Sequence, residues 1–70
     1  MNSAERRALR DAVDKRRKQE PLEKSLGRAL RSAGLDYETY IRLISEVRAY
    51  AQREKVTLEK AALALSSEEE

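Results

Sequence analysis

Apolar residues recur along this chain at spacings of three and four, the period of a helix face. The clearest segment is residues 35–55, LDYETYIRLISEVRAYAQREK. Within it Tyr37, Tyr40, Ile41, Ile44, Val47 and Ala51 share one face, and Leu43 and Tyr50 widen it. Arg42, Glu46, Arg48, Gln52 and Arg53 fall on the other side. An apolar arc this wide predicts a core helix rather than a two-position coiled-coil seam. Asp36 is placed as its N-cap, and Leu35 and Tyr40 as a hydrophobic staple around that cap. Glu38, Arg42 and Glu46 step at i,i+4 along the wet face.

The flanking segments are shorter. Asn2-Ser3-Ala4-Glu5 stands in capping-box register and predicts a helix from Ala4 to about Gln19. Its apolar face is Met1, Ala8, Leu9, Ala12 and Val13; after Val13 the run DKRRKQE offers nothing to a core. Pro21, the single proline, displaces Glu20 from helical geometry and opens a second helix at its first position. Leu22, Leu26, Ala29, Leu30 and Ala33 form that helix's buried stripe, with Gly27 inside it. Gly34 followed by Leu35 predicts a Schellman-type stop, and so a tight corner into the central helix. Thr57 caps a last short helix, LEKAALAL, which buries Leu58, Ala61, Ala62 and Leu65 and leaves Leu63 off the face. The expected fold is all-α, a small three- to four-helix bundle with a basic N-terminal helix (1–20), a bundle core (21–65) and a disordered acidic tail (66–70).

Composition narrows this further. Seventy residues make one domain at most, with no Phe, Trp or Cys, and ten of the hydrophobic residues are alanine. So thin a core often leans on a partner or a second copy, and a dimer is one form open to it. The lack of cysteine rules out a disulfide framework and is compatible with the cytoplasm, or with the nucleus of a eukaryote. No run approaches the ~18 apolar residues of a membrane span, and the alanine-rich face of the first helix suits a membrane surface poorly.

Charge is uneven. Residues 1–20 carry seven bases against four acids, and residues 56–70 carry one base against four acids. With no His, no Cys, no Gly-rich phosphate loop and no metal-ligand spacing, the sequence predicts no enzyme, no cofactor, no metal and no small-molecule substrate. The candidate chemistry is phosphate binding, DNA or RNA, by two sets of cations. One is Arg6, Arg7, Arg10, Lys15, Arg16, Arg17 and Lys18. The other is the stripe Lys24, Arg28 and Arg31, at i, i+4 and i+7 opposite the leucines. Against both stands the reading of a solvated face laced with i,i+4 pairs: Asp11 with Arg7 and Lys15, Asp14 with Arg10 and Lys18, Glu20 with Arg16.

The corner also outlines a helix-turn-helix with Ala29, Ala33, Leu35, Tyr40 and Leu43 inside it. Its second helix opens on Asp36, Tyr37 and Glu38, which repel phosphates, so only Arg42 could reach a base. The three tyrosines read as core edges with wet hydroxyls rather than as stacking platforms. The function expected is that of a small regulatory or nucleic-acid-binding protein. The alternative is a protein-interaction module, a homodimer or adaptor, that docks through an apolar helix face.

Overall fold

The computed structural model describes residues 2–67. Four helices account for the described regular structure: α1 (Ser3–Asp14), α2 (Leu22–Ser32), α3 (Tyr37–Glu54) and α4 (Leu58–Ser67). Each packs on its chain neighbours, and α4 returns onto α1 to close the bundle.

The helix starts follow local chemistry. The Asn2 side chain accepts from the Glu5 backbone N–H at 2.9 Å, and the Glu5 carboxylate accepts from the Asn2 N–H at 3.2 Å, which completes the capping box. Asp36 accepts from the Thr39 N–H at 2.9 Å and from its hydroxyl at 2.7 Å. Thr57 Oγ1 accepts from the Lys60 N–H at 3.1 Å. Pro21 stands one residue earlier than expected, as the N-cap of α2, in extended geometry.

The α2–α3 corner is the Schellman stop read from the sequence. Gly34 has φ +76°, its N–H donates to the Arg31 carbonyl, and the Leu35 N–H donates to the Leu30 carbonyl at 2.9 Å. At the end of α3 the same job falls to Lys55, at φ +57°, with the Val56 N–H donating to the Ala51 carbonyl. A side chain is strained in that conformation, and nothing in the sequence marked this position.

Leu9, Leu26, Leu30, Leu43 and Val47 are fully buried, with Leu22 and Ile44 nearly so. Five alanines, Ala8, Ala12, Ala51, Ala61 and Ala62, complete the core and let the helices approach closely. Ser25 is buried among them, and its hydroxyl donates to the Ala12 carbonyl at 2.6 Å, tying α2 to α1. Truncating a core leucine such as Leu26 to Ala costs about 2–5 kcal/mol.

Several expectations are corrected here. The first helix ends at Asp14, not near Gln19. Most of a helix's stability comes from packing an apolar face, and beyond Val13 none remains to pack. Within Ser3–Asp14 three arginines face three acids, so the helix by itself carries no net charge; the basic run Lys15–Lys18 lies in the connection that follows. On α3, Leu43 lies at the centre of the buried face, while Tyr37 is 73% exposed and Ile41 43%. α2 and α3 touch sparingly, so the first turns of α3 face α2 across an open cleft rather than packing on it. Ala33, the C-cap of α2, is exposed at the corner rather than part of the buried stripe. Ser66 and Ser67, expected in the tail, end α4, and their hydroxyls donate to the Leu63 carbonyl. Met1 and the three terminal glutamates of the expected tail lie outside the described residues.

Candidate nucleic-acid interface

The ten candidate cations separate into three groups. Arg28 and Arg16 are used inside the protein. The Arg28 guanidinium binds both Glu20 carboxylate oxygens, at 3.0 and 3.1 Å, and donates to the Lys15 carbonyl at 2.8 Å. Arg16 donates to the Glu20 carbonyl at 3.2 Å and to the Glu59 carboxylate at 3.2 Å. Glu20 also accepts from the Arg17 backbone N–H at 3.0 Å. The connection between α1 and α2 is therefore held by a charged network around a nearly buried Glu20, not by the expected i,i+4 pair with Arg16.

A second group lies along α1 and the connection. Arg10 meets Asp14 at 3.7 Å as a solvated i,i+4 pair. Arg6 is half-buried, and Arg7, Lys15 and Lys18 are exposed.

The third group is brought together. Arg17 from the connection and Lys24 and Arg31 from the outer face of α2 line one open cleft of about 510 Å³, shared with Arg28. None of the three makes an ion pair with a described residue. The cleft's other wall is the start of α3, with Leu35, Asp36, Tyr37 and Tyr40. The tyrosine rings stack on each other, centroids 5.9 Å apart and planes 26° from parallel. Gly27 faces Tyr40: a β-carbon there would lie 3.7 Å from the ring, an ordinary contact. Tyr37 is thus not the core edge expected of it. A tyrosine pair at i,i+3 on a helix's first turn, opposite a helix carrying glycine, was the available signal.

The carboxylates of the cleft are all held ionised. Glu20 lies below its ordinary pKa, chiefly through the Arg17 N–H and against the cost of burial, with Arg28 adding to it. Glu23 is lowered by its own backbone N–H and then by Arg48, which it meets at 3.1 Å. Asp36 is lowered by the Thr39 hydroxyl and N–H. Arg28 and Arg48 balance two of these charges. Arg17, Lys24 and Arg31 then outnumber Asp36 along the cleft, so the cleft is locally positive.

Arg42, the one cation the helix-turn-helix reading offered to a base, is ion-paired to the buried Glu5. That bond is the first cause of Glu5's lowered pKa, against desolvation, and the Asn2 N–H adds to it. Among the described residues no cluster of acids is arranged to hold a metal ion, and no helix is long and apolar enough to cross a membrane. No family model, curated protein or solved structure matches this chain.

Proposed function

We propose that this chain is a small non-enzymatic protein that binds nucleic acid through phosphate contacts, made by exposed cations of the 15–18 connection and the outer face of α2. One observation carries the reading: Arg17, Lys24 and Arg31 line a single cleft without an ion pair to a described residue. Cations left unpaired at one place are the groups that can release counterions from a phosphate backbone. The first helix has a smaller part than its sequence promised, because its charges balance.

The test is anisotropy with labelled nucleic acid at about 50 and 200 mM salt. Binding at the low salt that weakens at least about tenfold at the high salt is the expected result. Reversal of Arg17 and Arg31 to Glu abolishes it. Arg16 is the wrong residue to reverse, since a carboxylate there would face Glu59 and disturb the fold. Binding unchanged by salt or by the double reversal would count against phosphate contacts.

A second reading, docking to another protein, draws support from Tyr37 and Ile41. They are exposed one turn apart at the start of α3. Complexes held by such a face keep their affinity at high salt.

A further inference from the structure

We infer that the cleft between α2 and the start of α3 is a site for an unpaired nucleotide, with Tyr37 as the stacking platform for its base and Lys24, Arg31 and Arg17 as the contacts to its phosphates. This rests on the nucleic-acid reading above and names the form of nucleic acid it takes.

Three observations carry it. The first is the ring pair. Tyr40 is half-buried against Gly27, and Tyr37 stacks on Tyr40 while itself 73% exposed. The half-buried ring backs the exposed one, so a base laid on Tyr37 extends an existing stack. Stacking on an aromatic ring tolerates any base and needs the base out of a duplex.

The second is the placement of charge. Lys24 and Arg31 stand seven residues apart on α2, on the wall opposite the rings, and Arg17 joins them from the connection. Asp36 lies at the tyrosine end, and Glu38 follows on the same turn. A single strand with its base on Tyr37 can keep its phosphates on the α2 side, away from these carboxylates and where Arg28 and Arg48 already balance Glu20 and Glu23. A duplex offers no free base to the ring and brings a second row of phosphates past the acids.

The third is size. About 510 Å³ falls within the range of small-ligand clefts. That is room for one nucleotide.

The probes are a labelled thymidine strand of about 12 nucleotides and the duplex of the same length, each at about 50 mM salt. The wild-type chain binds the strand about tenfold more tightly than the duplex. Tyr37→Ala weakens the strand about tenfold, leaves the duplex as it was and keeps the wild-type Tm, because the side chain is exposed; Tyr37→Phe keeps strand affinity. The exposed pair Lys24→Glu and Arg31→Glu loses the strand while retaining the helical circular dichroism of the wild type. Equal affinity for both probes, or a Tyr37→Ala chain that holds the strand as well as wild type, overturns the cleft assignment even where salt-sensitive binding survives. Failure of both probes to bind overturns the phosphate reading itself, and this one with it.

Discussion

The two connections on either side of α2 are built on different principles. The α2–α3 corner is local: a glycine at φ +76°, two backbone hydrogen bonds across the helix end, and an aspartate cap four residues from the last turn of α2. Every part of it lies within a few residues of every other. The α1–α2 connection has local bonds too, from Arg16 and the Arg17 N–H to Glu20, but it is anchored from a distance. Glu20 is bound by Arg28, eight residues on, and Arg16 reaches Glu59, 43 residues on. Gln19, at φ +65°, is strained to make the turn. The corner follows from rules that act on neighbours. The connection's charged network is complete only once α2 and α4 are in place.

Removing a tertiary partner should therefore hurt more than removing the glycine. Arg28→Ala leaves the nearly buried Glu20 carboxylate with the Arg17 N–H as its one remaining donor and the Lys15 carbonyl without its guanidinium, and we expect a Tm lower by roughly 10 °C in a calorimetric or circular dichroism melt. A loss no larger than that of an ordinary exposed arginine would mean that the network is decoration and the connection is held otherwise.

Acid should act on both sides of α2, because lowered carboxylates stand in the connection and at the corner alike. Glu5, Glu20, Glu23 and Asp36 all have pKa values lowered on folding, so the unfolded chain takes up more protons as pH falls. Their contribution is complete above the ordinary carboxylate range and is lost as pH falls through their folded values, below about pH 4. Tm should hold between about pH 7 and 5 and then drop. Glu5→Gln removes one of these groups, so its acid limb should be shallower than that of the wild type.

The smallest effects belong to backbone geometry. Gly34→Ala should cost about 1 kcal/mol, because a β-carbon is strained at positive φ even though nothing crowds it. Lys55→Gly should add about 0.5–1 kcal/mol by relieving the same strain at the end of α3. Opposite signs in chemical denaturation would confirm that the two helix stops share one geometry.

The same division explains what could be read from the sequence. The capping box at Asn2 and Glu5, the Asp36 and Thr57 caps, the Gly34 stop and the leucines of α2 act over three or four residues, and each was legible. The exposure of Tyr37 and Ile41 was not, because the stripe they share with Ile44 says nothing of where the opposing helix ends. Nor was the left-handed Lys55. The cation set was legible as residue types and not as a site. Which arginines remain outward depends on Glu20, Glu59 and Glu5, whose partners only the fold selects. Arg28, central in the sequence stripe, is taken by Glu20, and Arg17, Lys24 and Arg31 are the cations left in the cleft.

The most direct test of that selection is a titration followed by amide nuclear magnetic resonance, with the thymidine strand added to the labelled wild-type chain. The account predicts that the perturbed amides gather at Arg17, Lys24, Gly27, Arg31, Tyr37 and Tyr40, with the middle of α1 unmoved. Shifts gathered instead on Arg6, Arg7 and Arg10, or on α4, would contradict it and return the basic front of the chain, or another face altogether, to first place.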